Sequence, residues 1–504
     1  MESNSTYLAE KGPSPAEQVP GSGAALENQF RQMLRSLSAQ DRHNLLAKME
    51  LADWLPYVDS IMQPDRNWQE RHPDTSDAGR PRICLVGINV HVRTMNYACP
   101  LHCYAMQQYL RGKGYEVEVL DYVPDFNILE EFYDYGNPAG YYRAIKAVLE
   151  EELRENGTDE DLKTAYARAC RELKCTELNA DILSARAASF REFNDKHLNL
   201  TPVRYDREKL DSLDPGCDIY MCASDIIWDK FYSAAYDRGF FLDGACMENK
   251  WKIVYAASKW TKWTRQDLLE TSEMMRKIDF ISVRESFLQE EIQRCVRHDV
   301  AWVVDPVLLN DASLYRSLAV PPEAGEYVLL YCAVEEDSLL LSECLKRVES
   351  IRARSGSCRL IIMADCSAHL VPKEFPGVET EYRLGAGIGE WLGQILNASW
   401  IYTNSYHCLC FCTLFRKNFH ATKRSHYDKI GDFLEPVGLG RRILNSGHIV
   451  PEDGPVSNWE EVDKKLGERI RTSKLFLDNA LTIASEPYPA AGEPAFLNFE
   501  EEDR

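Results

Sequence analysis

Short apolar runs alternate with longer segments of helical periodicity between residues 82 and 440. The apolar runs predict strands, whereas apolar positions three and four residues apart predict the helices between them. Strands are predicted at 82–87, 114–120, 218–223, 252–256, 280–283, 301–304, 327–332, 359–363 and 400–403. Helices are predicted at 97–110, from about 285, and at 338–353, 390–397 and 406–415. This alternation is typical of parallel α/β sheets, and its restart after residues 321–326 predicts two doubly wound domains.

The remaining segments differ in composition. Residues 1–25 are rich in Pro, Gly, Ser and Glu and predict a disordered tail. We expect a helical appendage and linker at 26–80, a first doubly wound α/β domain at 81–315 with a charged helical insertion at about 140–200, and a second at 316–440. A linker and a long helix that packs back across both domains are expected at 441–485, and an acidic tail at 486–504.

Composition narrows the class of protein further. The chain has 504 residues, 45% of them hydrophobic, and a net charge of -21. This charge opposes binding to nucleic acid or to an anionic membrane. The sequence contains no pattern of a signal peptide and no apolar run of membrane-spanning length, so we expect a cytoplasmic protein. In that reducing compartment the 16 cysteines are expected to remain thiols, mainly as small buried apolar residues.

Ligands of open parallel sheets bind at the carboxyl ends of the strands, so the segments that follow each strand are the candidate sites. After the first strand, Arg93 and Asn96 are candidates for anion binding. The dinucleotide signature G-x-G-x-x-G is missing there, and an ordinary strand-to-helix connection is the alternative. After the strand at 218–223, Ser224 and Asp225 are placed either to bind a substrate or to cap a helix. Trp228 is a candidate for stacking on a sugar, and a core position is the alternative.

Arg284 ends a predicted strand, which places a guanidinium suited to phosphate or carboxylate at the ligand-facing edge. A surface salt bridge with Glu285 is the alternative for Arg284. Asp305, which precedes Pro306, is either catalytic or orients Arg284.

The segment 400–411 changes from an apolar strand to hydroxyls and a histidine at a helix start. Ser405 is a natural N-cap, and His407 is placed to exchange protons near neutral pH. Cys408, Cys410 and Cys412 suggest a metal, but Cys410 points away from the helix face that the other two share. No C-x-x-C partner is present, and no metal is expected.

In this order the motifs resemble the polysaccharide pyruvyl transferase family over about residues 82–436. The matching residues are Asn96-Tyr97, Tyr104-Ala105-Met106, Ser224-Asp225 with Trp228-Asp229, Phe241-Leu242-Asp243, Tyr255-Ala256-Ala257-Ser258, Ser282-Val283-Arg284-Glu285, Asp305-Pro306 and Thr403-Asn404-Ser405-Tyr406-His407. The resemblance implies two Rossmann-like domains facing across a cleft, as in glycosyltransferase-B proteins. The chain departs from the family in having Ala98, Ala223 and Cys408 where Gly is common, Ile226 for Gln and Asn404 for Asp.

The resemblance also implies a reaction. Members of the family that it resembles use phosphoenolpyruvate as co-substrate to build a pyruvate ketal on a sugar, and no cofactor is expected. Arg284 matches the anion-binding arginine and His407 the catalytic histidine. We expect His407, Asp225 and Asp305 as catalytic residues, and Arg284, Arg93, Ser405 and Asn96 as donor-binding residues. Ser224, Trp228 and Asn404 are expected to bind the acceptor.

The expected partners are a small-molecule donor and a carbohydrate or glycoconjugate acceptor, and a homo-oligomer is compatible with the sequence. Two alternatives remain open. One is a nucleotide-sugar glycosyltransferase of glycosyltransferase-B type. The other is a binding or assembly protein that keeps the scaffold after its donor pocket has decayed, which the missing glycines favour and the retained Arg284 and His407 oppose.

Overall fold

A computed structural model describes residues 81–88, 95–124, 138–155, 158–229, 236–259, 262–333, 337–365, 372–423, 429–445, 447 and 450–485. The predicted tail at 1–25, helical appendage at 26–80 and acidic tail at 486–504 lie outside these residues.

Seven parallel strands form the first sheet: β1 (Arg82–Val86), β2 (Glu116–Tyr122), β3 (Leu200–Tyr205), β4 (Ile219–Asp225), β5 (Trp251–Ala257), β6 (Phe280–Val283) and β7 (Val300–Trp302). Their order across the sheet is β3-β2-β1-β4-β5-β6-β7. The central strands β4 and β5 are buried at every residue. Strands covered on both faces need apolar side chains on both faces, which explains why they are unbroken apolar runs in the sequence.

The described residues of this part of the chain form the α-helices α1 (Ala98–Gly112), α2 (Pro138–Glu155), α3 (Glu160–His197), α4 (Arg207–Ser212), α5 (Arg265–Arg276) and α6 (Ser286–Cys295). The charged segment at about 140–200 forms α2 and the 38-residue α3. Asp159 caps α3, its side chain accepting from two backbone N–H groups of the first turn.

Five parallel strands form the second sheet: β8 (Tyr327–Cys332), β9 (Arg359–Ala364), β10 (Thr380–Tyr382), β11 (Trp400–Thr403) and β12 (Phe419–Ala421). Their order is β10-β9-β8-β11-β12. The accompanying helices are α7 (Ala312–Arg316), α8 (Ser338–Ser355), α9 (Ile388–Asn397), α10 (Tyr406–Leu414), α11 (Lys429–Leu434) and α12 (Trp459–Ala484). The predicted fold class, two doubly wound α/β units facing each other, is confirmed.

The two sheets face each other through the carboxyl ends of their strands. Tyr97, which precedes α1, stacks on Trp391 of α9 with ring centroids 5.1 Å apart and donates to the Ala386 carbonyl at 3.0 Å. Helix α12 contacts both parts of the molecule. Its Ser473 hydroxyl accepts from the Val304 N–H at 2.9 Å, and its Arg469 donates to the carbonyl of Asp432 in α11 at 3.1 Å.

Three strands, β3, β10 and β12, have no counterpart among the sequence predictions. All three lie at sheet edges, and β10 and β12 are only three residues long. Edge strands that are short or, like β3, partly exposed lack a continuous apolar pattern, so the sequence offers no signal for them.

Within the described part of the chain, the helices lack the combination of length and apolar character that a bilayer crossing needs. The cysteines described are free thiols, and all but Cys170 and Cys246 are buried.

Candidate functional site

Strand ends from both sheets converge on one buried cluster of charged and imidazole side chains. Arg284 follows β6 and Asp305 follows β7 in the first sheet, while His407 is the second residue of α10, after β11 of the second sheet. The carboxyl ends of parallel strands share one edge, and here two such edges face each other. Residues far apart in the sequence therefore meet.

Arg284 is the centre of this cluster. Only 1% of its side chain is exposed, and its Nη1 donates to Asp305 Oδ2 at 2.6 Å and to His407 Nε2 at 2.9 Å. Burial by itself lowers the pKa of a guanidinium, but the carboxylates of Asp305 and Glu285 outweigh it and raise the pKa of Arg284. The arginine is therefore a permanent cation held between the two sheets.

The contact with Arg284 fixes the tautomer of His407. A guanidinium has donors and no acceptor, so His407 Nε2 must accept the bond from Arg284 and carry no proton. His102 Nε2 lies 2.7 Å from the same nitrogen. His407 Nε2 has one lone pair, so His102 Nε2 can bond to it only as a second N–H donor that shares this lone pair with Arg284. In this hydrogen-bond arrangement the ring N–H of His407 is at Nδ1.

His102 is a site residue that the sequence predictions missed. It lies in α1, is 1% exposed, and burial lowers its pKa to about 4, so it is a neutral imidazole at physiological pH. Its Nε2 is also 3.7 Å from Asp305 Oδ2. The sequence feature that could have identified His102 is its position as a single histidine in the apolar segment A-C-P-L-H-C-Y-A-M, directly after the loop that follows the first strand.

Asp305 accepts a hydrogen bond from Arg284 and so orients its guanidinium. Both of its oxygens are engaged by the protein, since Oδ2 accepts from Arg284 and Oδ1 accepts from the Val307 N–H at 3.1 Å. Burial alone raises the pKa of a carboxyl group, but His102 and His407 in their protonated forms, together with Arg284, hold the pKa of Asp305 well below its usual range. Of the two sequence-based alternatives for Asp305, the geometry matches the one in which it orients Arg284.

Ser224 and Asp225 end β4 in left-handed backbone, with φ of +54° and +71°. Such conformations cost on the order of 1–3 kcal/mol for non-glycine residues and tend to persist where a site requires them. Ser224 Oγ donates to Asp305 Oδ2 at 3.2 Å, and Asp225 Oδ1 lies 3.6 Å from Arg284 Nη2. Although burial opposes ionisation, the imidazoles of His102 and His407 in their protonated forms, with Arg284 and Lys429, lower the pKa of Asp225 to about 2. Asp225 is therefore an anion at neutral pH.

A second branch of the cluster contains Lys429, which the sequence predictions missed, and Glu285, which they gave only as a salt-bridge partner of Arg284. The Glu285 side chain is fully buried; its Oε1 accepts from Ser258 Oγ at 2.6 Å and is 3.5 Å from Arg284 Nε. Lys429, the first residue of α11, donates to Ser258 Oγ at 2.7 Å and is 3.7 Å from Glu285 Oε1. Burial lowers the pKa of Lys429 to about 8 despite the nearby Glu285. The two cations, Arg284 and Lys429, thus flank one buried carboxylate.

Trp228 is a correction to the sequence predictions. Its side chain is fully buried, stacks on Phe241 with centroids 5.2 Å apart and donates from Nε1 to the Phe240 carbonyl at 3.1 Å. A sugar ring has no access to it, so Trp228 is a core residue. Arg93, the predicted anion-binding residue of the first loop, lies outside the described residues.

Three further predicted residues have bonds to nearby backbone. Asn404 Oδ1 accepts from the Ala333 N–H at 2.7 Å, which ties the end of β11 to that of β8. Ser405 caps α10, its Oγ accepting from the Cys408 N–H at 3.3 Å. Asn96 Oδ1 accepts from the N–H of Ala98, the first residue of α1, at 2.8 Å. These contacts order the loops and direct none of the three side-chain oxygens at Arg284 or His407.

The donor atoms of His102, Asp305 and His407 lie within 4.8 Å of one another, as metal ligands would. Arg284 Nη1 is already 2.6 Å from the Asp305 oxygen and 2.9 Å from the His407 nitrogen. A metal ion between these ligands would contact a permanent cation. The cluster thus receives its positive charge from the guanidinium, and its residues fit a metal poorly.

Together, the fold and the buried cluster define a two-domain α/β protein with a polar centre at the facing strand ends. Residues 101–426, more than half of the chain, match the family described as polysaccharide pyruvyl transferase. The chain belongs to that family. No curated protein matches it significantly.

Several solved structures are similar to the chain at low sequence identity and low TM-score. The N-terminal domain of trehalose-6-phosphate phosphatase from Candida albicans is 12% identical, with a TM-score of 0.39 over 82% of this chain and 99% of that one. An alpha-glucosyltransferase in complex with UDP is 11% identical, with a TM-score of 0.36 over 80% and 94%. The UDP-GlcNAc 2-epimerase of Methanocaldococcus jannaschii is 10% identical, with a TM-score of 0.32 over 77% and 92%.

Proposed function

We propose that the chain transfers the pyruvyl group of phosphoenolpyruvate to two hydroxyls of a sugar-containing acceptor, forming a cyclic ketal and releasing phosphate. The observation that carries this proposal is the buried contact between Arg284 of one sheet and His407 of the other, with His102 bonded to the same nitrogen. Family membership supports a transferase of this kind.

The charges of the cluster suggest how the donor is bound. Two cations, Arg284 and Lys429, face three carboxylates, those of Asp225, Glu285 and Asp305. A donor that carries a phosphate and a carboxylate adds further negative charge, which the cluster must balance. The neutral imidazoles are the groups that can take up a proton for this purpose. In our proposal, donor anions draw the Arg284 guanidinium away from His407 Nε2, which then becomes protonated.

Protonated His407 then acts as the general acid. It gives its proton to the methylene carbon of the donor, which becomes a methyl group, and leaves positive charge at C2 beside the ester oxygen. The first acceptor hydroxyl forms a bond to C2, and the C2–O bond to phosphate breaks with its electrons going to phosphate. The second hydroxyl closes the ketal. Of the two hydroxyl protons released, one balances the proton added to carbon and the other leaves with the phosphate.

Glu285 is our candidate for holding an acceptor hydroxyl. Its Oε2 is buried and has no hydrogen-bond partner among the described residues. Buried carboxylate oxygens are normally satisfied, and a bound hydroxyl would supply the missing donor.

Ligand-induced thermal stabilisation tests the choice of donor. At 100 times its dissociation constant, a ligand stabilises the folded state by about 2.7 kcal/mol. We expect phosphoenolpyruvate to raise the melting temperature and nucleotide-sugars to leave it unchanged. A shift with a nucleotide-sugar alone would contradict the proposal in favour of a glycosyltransferase, and no shift with either ligand would favour a binding protein.

Substitution of His407 tests the proton step. His407→Ala should abolish turnover and keep the thermal shift with phosphoenolpyruvate, because the histidine acts on the reacting carbon while Arg284 holds the donor. His298→Ala, at an exposed histidine near the start of β7, is the matched control and should behave as wild type. Near-normal turnover in His407→Ala would rule out the assignment.

A further inference from the structure

Three potential metal ligands meet at the amino end of the first sheet, opposite the edge that carries Arg284. Cys84 of β1 and Glu118 of β2 are direct partners in the parallel register, so their side chains share one face. Cys217 precedes β4 on the other side of β1. The two sulfurs and a carboxylate oxygen lie within 4.8 Å of one another.

Burial and hydrogen bonds fix the positions of these three potential ligands. Cys84 and Cys217 are fully buried in the same apolar cluster, and the Glu118 side chain is 20% exposed. Arg82 donates from Nη2 to Glu118 Oε2 at 2.9 Å and from Nη1 to the Gly216 carbonyl, next to Cys217, at 3.1 Å. One arginine therefore orients both the carboxylate and the loop that carries the second thiol. Such outer contacts are typical of metal sites.

Distance and charge both favour zinc. Ligand atoms of a tetrahedral zinc ion with two thiolates and a carboxylate lie about 3.6–3.8 Å apart, so small side-chain adjustments would close the group around an ion. Two thiolates and Glu118 carry three negative charges, which a divalent ion and Arg82 neutralise. Arg82 uses Oε2 of Glu118, and the other carboxylate oxygen is left for the metal. Sulfur ligands favour zinc over magnesium or calcium.

We propose that Cys84, Glu118 and Cys217 form a zinc site that joins β1, β2 and the start of β4, with a fourth, solvent-derived ligand on the exposed side of Glu118. The site is independent of the transferase reaction, because it lies at the opposite end of the strands from His407. Its role is to stabilise the first sheet.

Cobalt binding tests the site, since cobalt can replace zinc and thiolate ligands give it a sulfur-to-metal charge-transfer absorption. The full chain, reduced and stripped of metal, should bind one cobalt ion with this absorption, and zinc should displace it and raise the melting temperature. Cys84→Ser and Cys217→Ser should each lose the absorption. Glu118→Gln and Arg82→Gln, which leave the buried thiols in place, should bind about 10–100-fold more weakly.

Cys358→Ser is the matched control, because Cys358 is also buried but lies beside β9 of the second sheet, away from the group, and this variant should bind cobalt as wild type does. Circular dichroism of each metal-free variant separates loss of the site from loss of the fold. Absence of the charge-transfer absorption in the wild type would overturn the proposal. The proposal would also be overturned if both Cys84→Ser and Cys217→Ser bound cobalt with wild-type affinity and kept the charge-transfer absorption.

Discussion

At the residue scale, the protonation of Lys429 is expected to make the affinity for the donor depend on pH. Its side chain is 15% exposed, and burial lowers its pKa to about 8, so it is charged at neutral pH and loses its proton within an accessible range. A lysine binds anions only in its protonated form. As pH rises through about 8, the positive charge beside Glu285 is lost and the site becomes less favourable for an anionic donor.

We therefore predict that the affinity for phosphoenolpyruvate falls as pH rises through about 8, measured by calorimetric titration between pH 6.5 and 9.5. Lys429→Met should weaken binding by about tenfold or more at pH 7, as expected for the loss of one charge-assisted bond. Lys429→Arg remains charged throughout and should not show the decrease around pH 8. The same decrease in Lys429→Arg would show that another group is responsible.

At the element scale, α1 and α10 bring an imidazole from each sheet to one point. Both helices follow strands that end at the facing edges, and their histidines meet with Nε2 atoms 2.7 Å apart. His102 Nε2 donates towards His407 Nε2, and passing that proton on requires the His102 ring to take up another proton at Nδ1. We interpret His102 as a positioning and proton-relay residue.

His102→Gln retains an N–H donor but has no titratable ring. We predict that kcat falls about 100-fold while KM for the donor changes little, because proton delivery contributes to the reaction and not to binding. Nitrogen-15 shifts of the His407 ring should report the same Nδ1–H tautomer in both proteins when no ligand is bound. Gln108→Ala on the same helix is the control, and a wild-type kcat in His102→Gln would exclude the relay.

At the scale of the whole molecule, α3 links the two sheets through one buried arginine. Arg186 is fully buried, donates to the carbonyls of Ala364 at 2.8 Å and Met95 at 2.7 Å, and lies 4.2 Å from the Tyr97 ring centroid. Met95 belongs to the first domain and Ala364 ends β9 of the second sheet. The helical insertion therefore holds the facing edges at a fixed separation.

Arg186→Met should destabilise the protein by about 1–3 kcal/mol for each buried carbonyl that it leaves without a donor. Arg191→Met, at an exposed position on α3, should change stability by less than about 0.5 kcal/mol. Thermal and denaturant unfolding measure both. If Arg186→Met unfolds as wild type does, Arg186 does not hold the two sheets together.

The sequence determined most of the elements and much of the candidate site. Fully buried strands such as β8 and β11 have the predicted bounds, because unbroken apolar runs are the local signature of a covered parallel strand. Arg284 and His407 were also foreseeable, since ligand-facing positions follow directly from the ends of such strands.

Only the tertiary structure decided what these residues contact. Trp228 follows the end of a strand, where the sequence predicts ligand contacts, but in the structure it is a core residue. It is buried because it packs against Phe240 and Phe241. His102 and Lys429 join the site through contacts that bridge the two sheets. Local periodicity reports on neighbours along one element, whereas hydrogen bonding, desolvation and pKa depend on side chains brought from distant elements. The positions of the strand ends could therefore be predicted from the sequence. The hydrogen bonds and pKa values of the residues at those ends depend on the sheet that faces them.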